Sequence, residues 1–240
     1  MDPIYSLDFT ISDIHVDRFG RVKPSVLLYF VQEAAGQHCS LLAVDYDRLS
    51  HKHLFWAVTR NRVQVTRLPM RGERITVKTW PMPTSRTAYP RCVMGFGADG
   101  RLLFKVLSLW VLMDVSTRAM VLPAKSGVEV IGSVEGGEPE LPRGLPVTQQ
   151  ENTVYKTVEQ CHLDRNGHMN NTRYMDWVAE LAPEKAVKSL ELCYFNEGRL
   201  GDRMELDYDQ SEDSLTVNIH RQRTDDPHEK DRIFAALVQF

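Results

Sequence analysis

The sequence has little cysteine, no long apolar run and almost no net charge, and each shortage removes a class of protein. Its four cysteines, Cys39, Cys92, Cys161 and Cys193, are far apart and form no CxxC, so neither a zinc ribbon nor a dense disulfide framework is indicated. No window approaches the roughly 20 consecutive apolar residues of a membrane helix. Gln32, Glu33 and Gln37 interrupt the best candidate, 26–43, and no membrane insertion is expected. The N-terminus, MDPIYSLDF, has no basic region, apolar run or small-residue cleavage site, and it lacks the Arg/Ser-rich pattern of a transit peptide. A cytoplasmic location is therefore expected. What remains, 42% hydrophobic and 25% charged residues in 240, is the composition of a soluble globular chain of one or two domains.

The net charge of -3 hides an asymmetry: residues 1–123 carry 16 Lys+Arg against 10 Asp+Glu, whereas 124–240 carry 13 against 22. The basic excess is concentrated where Arg60, Arg62, Arg67, Arg71, Arg74, Lys78, Arg86 and Arg91 face a single acid, Glu73. Such a stripe suits an acidic partner or an anionic ligand, and it equally suits a solvated basic sheet face. Nucleic acid is not expected, since the overall charge is acidic and no nucleic-acid motif accompanies the stripe.

The chain repeats itself. Residues 15–35, HVDRFGRVKPSVLLYFVQEAA, and 162–182, HLDRNGHMNNTRYMDWVAELA, match at a constant shift of 147, with seven of 21 positions identical. The identities are His15/His162, Asp17/Asp164, Arg18/Arg165, Gly20/Gly167, Val31/Val178, Glu33/Glu180 and Ala35/Ala182. Further on, Gly72-Glu73-Arg74-Ile75 answers Gly201-Asp202-Arg203-Met204.

Each copy begins with a strand-like run, 8–14 and 152–160, then a Gly-containing loop and a helical segment. In the second copy Tyr174, Trp177, Val178, Leu181 and Ala182 form one apolar stripe, ended by Pro183. In the first, Pro24 and Ser25 sit where a helix begins, and its neighbouring positions are apolar too, as in a helix buried nearly all round. Four strand-like runs follow each helix: 55–67, 73–81, 86–96 and 101–113, then 188–196, 203–208, 215–220 and 232–240. One strand, a helix and four strands make an α+β module in which a sheet wraps a central helix. Between the modules 1–123 and 151–240, residues 124–150 are rich in Pro, Gly and Glu without periodicity and read as a linker.

The copies differ in one informative place. Where the second has Asn166, Gly167, His168, Asn170 and Asn171, the first has Phe19, Gly20, Arg21, Lys23 and Pro24; aligning Gly72 with Gly201 sets Leu68 opposite Glu197. A purely structural role, such as helix capping by Asn170 or Asn171, would serve both copies equally. Restriction of these polar residues to one copy points to function.

These residues resemble the plant-type acyl-acyl-carrier-protein thioesterases in the form without a transit peptide. The family's D-x-N-x-H-x-N-N-x-x-Y signature is matched by Asp164, Asn166, His168, Asn170, Asn171 and Tyr174, and its catalytic glutamate, expected on the next strand, by Glu197 in YFNEG. Its S-x-W-x-x-M-[DN]-x-x-T-R segment is matched by Ser108, Trp110, Met113, Asp114, Thr117 and Arg118. The resemblance covers essentially the whole chain. It implies two tandem hot-dog folds, acyl-chain recognition mainly in the first and catalysis in the second, and fatty acyl-acyl carrier protein as substrate. One departure stands out: the plant enzymes commonly carry a cysteine after the glutamate, and here that residue is Gly198. Cys193 lies about 13 Å away along an extended strand, so nucleophilic cysteine catalysis is not expected.

The residue chemistry suits thioester hydrolysis. Glu197 is expected to activate water with Asn166 and His168, while Asp164 either assists or attacks the carbonyl itself. Backbone N–H groups at the helix start near Asn170 and Asn171 would receive the oxyanion. The acidic carrier protein gives the basic stripe a candidate partner, with Arg60, Arg62, Arg67, Arg71, Arg74 and Arg86 as the docking residues. An acyl-coenzyme A thioesterase is the nearest rival, and a non-catalytic acyl-lipid sensor would need no such polar set. His51 and His53 alone are weak ligands in an exposed-looking turn, and neither metal nor cofactor is expected. Association into a homodimer is left open.

Overall fold

Runs rich in β-branched and aromatic side chains pair as strands in the computed structural model, which describes residues 4–134, 140–148, 150–223 and 229–240. The chain divides into two units, 1–142 and 143–240. The first holds β1 (Tyr5–Thr10), the long helix α1 (Pro24–Leu41), a short helix α2 (Tyr46–Ser50), β2 (Leu54–Val65), β3 (Arg74–Pro81), β4 (Tyr89–Gly97), β5 (Leu102–Asp114), the two-residue β6 (Met120–Val121) and a single turn α3 (Pro123–Ser126). The second holds β7 (Asn152–Thr157), α4 (Tyr174–Leu181), β8 (Ser189–Tyr194), β9 (Arg203–Gln210), β10 (Ser214–Gln222) and β11 (Lys230–Gln239).

Strand order is β1-β3-β4-β5-β2 in the first unit and β7-β9-β10-β11-β8 in the second, antiparallel throughout. The two orders are the same when each unit's strands are counted along the chain. Register repeats as well: Thr10 lies opposite Arg74 and Thr157 opposite Arg203. Each unit is thus the expected hot-dog, and the chain is an α+β double hot-dog.

The helices differ in length because the second copy is shorter. The shift between copies falls from 147 at the pre-helix loop to 129 at Gly72/Gly201, and α1 has 18 residues against 8 in α4. Pro24 opens α1, where a fixed φ suits the first turn and no N–H is missed. Leu27, Leu28, Phe30, Val31, Ala34 and Ala35 form its buried face, whereas Tyr29, Gly36 and Ser40 line an exposed side, so the helix is not buried all round as expected. In α4 the buried face is Tyr174, Met175, Trp177 and Val178, with Tyr174 stacked on Phe234 of β11 at 5.0 Å between ring centres. Truncating such a residue to alanine costs about 3–5 kcal/mol.

Four boundaries near the loops that precede the helices and follow β8 differ from expectation. The opening strand of each unit stops early, at Thr10 and Thr157, and gives way to a 3-10 turn, Asp13–His15 and Gln160–His162. The strand expected to reach Asn196 ends at Tyr194. Helix α4 starts at Tyr174, three residues beyond the position matching Pro24, because the Asn170 carboxamide oxygen accepts both the N–H and the hydroxyl of Thr172, each at 2.9 Å, and fixes a turn there.

The segment 124–150 carries only the end of α3 as regular structure among its described residues, yet it is tied down. Val128 is buried in a cluster with Val44, Leu49, Leu54, Tyr89 and Leu112. Tyr89 and Ser126 share a hydrogen bond of 2.8 Å, and Ser133 N–H donates to the Pro81 carbonyl at 2.9 Å. On the other side Arg232 donates to the carbonyls of Leu145 and Pro146.

Candidate active site

The loop before the helix is the same object in both units. Asp17 Oδ1 accepts the N–H groups of Phe19 and Arg21 at 2.8 and 3.0 Å; Asp164 Oδ1 accepts those of Asn166 and His168 at 2.8 and 3.2 Å. Gly20 and Gly167 follow with φ of 75° and 76°, a left-handed conformation that glycine adopts without penalty. The ring of His15 accepts Ser12 N–H through Nδ1 and meets Phe30 edge-on; that of His162 accepts Glu159 N–H and meets Trp177 edge-on. The turn before β3 or β9 closes against this loop identically, with Val22 N–H on the Pro69 carbonyl and Met169 N–H on the Gly198 carbonyl, both 2.8 Å.

That last contact brings the candidate residues together. Glu197 lies on a loop three residues past the end of β8, not on a strand as expected, and the Gly198 to Met169 bond sets its side chain beside His168, with Nε2 3.4 Å from Oε2. Both side chains are partly buried. Asn166 is exposed and turns its carboxamide back to Asp164 Oδ2 at 3.5 Å. At the corresponding places the first unit has Arg21, paired with Asp17, and the buried Leu68.

The expected anion site is narrower than the sequence suggested. Asn170 does not offer its N–H, which donates to the His162 carbonyl at 2.9 Å, and the N–H groups of Thr172 and Arg173 are taken by Asn170 itself. Among the described residues, the N–H groups of Asn171 and Tyr174 have no acceptor. The counterpart of Asn171 is Pro24, which has no N–H at all.

Sequence reading missed the support behind Glu197. Arg221 on β10 donates to the Glu197 carbonyl and is paired with Asp202 and Asp231 at 2.9 and 2.8 Å. Burial opposes its charge, but the two carboxylates outweigh that and raise its pKa. Tyr174, whose pKa burial pushes up, accepts Gly198 N–H at 3.1 Å. No local pattern marks Arg221; strand pairing delivers it.

By strand register Arg60, Arg62, Lys78 and Arg74 fall on one side of the sheet, spread across it rather than clustered. Arg60 and Arg62 lie on β2 and Arg74 on β3, with β4 and β5 between, a spacing of about 14 Å. Arg62 pairs with Glu140, Arg67 with Glu73 and Arg71 with Asp13. Arg91 is buried on β4 against His38 and Thr79, both 3.1 Å away. Arg60, Arg74 and Arg86 make no ion pair with the described residues, and Arg74 and Arg86 are exposed. Among the described residues no group of three His, Cys, Asp or Glu side chains could hold a metal ion.

Comparison with known proteins agrees with this duplicated arrangement. The family model described as the acyl-ACP thioesterase N-terminal domain matches residues 3–125, and that of the acyl-ACP thioesterase C-terminal domain matches 146–235. A chloroplastic palmitoyl-acyl carrier protein thioesterase of Gossypium hirsutum is 28% identical over 210 residues, 79% of this chain and 49% of the relative. An oleoyl-acyl carrier protein thioesterase of Arabidopsis thaliana is 26% identical over 89% of this chain and 63% of its own length. The chain thus spans about half the length of the first of these relatives. Among solved structures, an acyl-ACP thioesterase from Bacteroides thetaiotaomicron shares the fold with a TM-score of 0.88 and 24% identity, covering 100% of this chain and 98% of the other. The 12:0-ACP thioesterase from Umbellularia californica does so with 0.79 and 19%, covering 99% and 97%.

Proposed function

The chain belongs to the acyl-ACP thioesterase family, and from that premise we propose that it hydrolyses the thioester of fatty acyl-acyl carrier protein, releasing the free fatty acid and ending chain elongation. The observation that carries this reading is the His168–Glu197 pair, 3.4 Å apart, on a loop scaffold whose copy in the first unit has neither residue.

Glu197 takes a proton from water as the water oxygen attacks the thioester carbon. The carbonyl oxygen, becoming negative, is received by the Asn171 N–H and by His168. Collapse of the tetrahedral intermediate breaks the C–S bond, and the proton held by Glu197 passes to the departing thiolate, directly or through His168. Asp164 is a poor nucleophile in this arrangement, since one oxygen accepts two backbone N–H groups and the other faces Asn166. Its copy Asp17 makes the same backbone contacts without any chemistry to perform. Asp164 therefore shapes the loop that presents His168. The first unit, around α1, receives the acyl chain, and Arg74 and Arg86 lead the docking of the acidic carrier. The reading includes a cytoplasmic location, and its chemistry does not depend on a homodimer.

The test is turnover on a panel of acyl carrier protein and coenzyme A thioesters of graded chain length. Carrier-protein thioesters should be preferred, and Glu197→Gln should lower kcat on the order of 100-fold or more with the fold intact. Full activity in that variant rejects the site, and a preference for coenzyme A rejects the substrate.

A further inference from the structure

One peptide group, joining Glu197 to Gly198, is held at both ends by side chains from elsewhere in the second unit. Its carbonyl accepts from Arg221 Nη1 at 3.2 Å, and its N–H donates to the Tyr174 hydroxyl at 3.1 Å. Arg221 is itself fixed. Nη1 also reaches Asp202 Oδ2 at 2.9 Å and Nη2 reaches Asp231 Oδ2 at 2.8 Å, and Asp202 Oδ2 accepts Arg199 N–H at 2.8 Å from the same loop. The residue bearing the carboxylate thus has its following peptide plane clamped between a phenol and a guanidinium. Without them that plane, three residues past the end of the strand, would be held only by the backbone contacts of Gly198 and Arg199 with Met169 and His168.

The first unit shows that the fold does not need this clamp. Its counterpart of Gly198 is Pro69, which has no N–H to satisfy, and its counterpart of Tyr174 is Leu27, which has no hydroxyl. Met204 pairs with Arg221 across β9 and β10, while the corresponding Ile75 pairs with Gly97 across β3 and β4, so no arginine stands there. The Leu68 carbonyl is met instead by Arg67, its neighbour in the chain. The turn closes in both units; only in the unit with a glutamate to aim does the carbonyl's donor come from a distant strand and the following N–H find a side-chain acceptor.

We infer that Arg221, together with Tyr174, is a positioning residue that holds the Glu197 carboxylate against His168. This rests on the reading that Glu197 and His168 perform the hydrolysis. A guanidinium is suited to the task because its planar fork serves the carbonyl and two carboxylates at once, which an ammonium cannot reproduce. Displacement of a catalytic group by about 1 Å costs about 100-fold in rate.

A double-mutant cycle on the full chain tests it, with a short acyl-pantetheine thioester as substrate. Arg221→Met in the otherwise native chain should lower kcat by about 30-fold, within the range expected for misplacement, with KM changed less than about two-fold. Arg221→Lys should recover part of that loss. In the Glu197→Gln background the same Arg221→Met change should alter the residual rate by no more than about two-fold, because nothing remains to be positioned. Equal losses in both backgrounds, or no loss in the native one, overturn the inference. Should Arg221→Met fail to fold, Tyr174→Phe, which releases the other end of the peptide, is measured in the same two backgrounds and judged by the same criteria. If Glu197→Gln alone leaves turnover intact, the failure belongs to the site assignment rather than to the clamp.

Discussion

Asp17 and Asp164 gather the same backbone N–H groups, His15 and His162 accept the same turn amides, and Gly20 and Gly167 carry the same left-handed bend. Against this common frame seven substitutions around the site separate the units: Phe19 becomes Asn166, Arg21 becomes His168, Lys23 becomes Asn170, Leu68 becomes Glu197, Pro24 becomes Asn171, Pro69 becomes Gly198 and Leu27 becomes Tyr174. The difference sorts the family signature into two kinds of residue. Those present in both units build the loop, joined in the second by the Asn170 turn, and others present in one supply the acid, the base, the open N–H and the means of aiming them. A motif read as a list of catalytic residues would give Asp164 the same standing as His168, and the first unit argues against that.

The sharpest way to break the comparison is to move residues of the first unit into the second. His168→Arg and Glu197→Leu recreate a pairing that the same scaffold already accepts, so each should lower kcat about 100-fold or more while Tm changes by no more than about 3 °C. Steady-state kinetics with thermal melts would measure both. A large drop in Tm would mean that the two scaffolds are less alike than their hydrogen bonds. Next in size is Asn171→Pro, which installs the Pro24 residue and deletes the proposed oxyanion donor; kcat should fall by about 100-fold, whereas Asn171→Ala, which keeps the N–H, should stay within about three-fold of the native rate. Equal losses in both variants would transfer the role to the Asn171 side chain.

Smaller and differently shaped effects are expected at the shared aspartates. Asp17→Ala and Asp164→Ala each leave two loop N–H groups without their carboxylate and should cost about 1–3 kcal/mol of stability. Only the second should also reduce kcat, because only it carries His168. Single turnover in oxygen-18 water should label the fatty acid and leave Asp164 unlabelled. Label in Asp164 would restore the anhydride route. Smaller again is the docking effect. Charge reversal of Arg74 and Arg86 should raise KM for the carrier-protein substrate by about ten-fold, lessened by salt, and leave kcat on a short pantetheine thioester unchanged.

How much of this could be read from the chain follows from what is local. The repeat, the order of elements and the Leu68/Glu197 contrast are patterns along the sequence, and they carried both the double hot-dog and the candidate pair. The family resemblance places Glu197 on a strand, at the end of the strand-like run 188–196, but ladder pairing with β11 stops at Tyr194 opposite Phe234. The start of α4 was displaced by a side-chain turn at Asn170 that competes with the helix. Counter-ions for the basic stripe come from Asp13 and Glu140, outside any window that counts neighbours, and Arg91 resembled a surface charge although β4 is buried on both faces from Tyr89 to Val93. Arg221 reaches Glu197 only through the pairing of β9 with β10.

The smallest expected effect concerns the thiols, where the units again divide. Burial pushes the Cys39 thiol up and the Cys92 thiol up to about 11, so neither first-unit cysteine is ionised near neutral pH. In the second unit Cys193 is buried on β8 with its thiol on the Arg143 carbonyl, and Cys161 is exposed in the 3-10 turn. At the position after Glu197, a Cβ on Gly198 would come within 2.8 Å of Met204 Cε, the far end of a flexible side chain, and 3.0 Å of the Tyr174 hydroxyl, so a side chain there would require both to give slightly. Since base chemistry at Glu197 requires no thiol, Cys161→Ser and Cys193→Ser should each retain kcat within about two-fold, a change too small to reflect a lost nucleophile. A fall of 100-fold in either, with the melt unchanged, would put a cysteine into the reaction and remove the distinction between a unit that holds the chemistry in His168 and Glu197 and one that merely shares its frame.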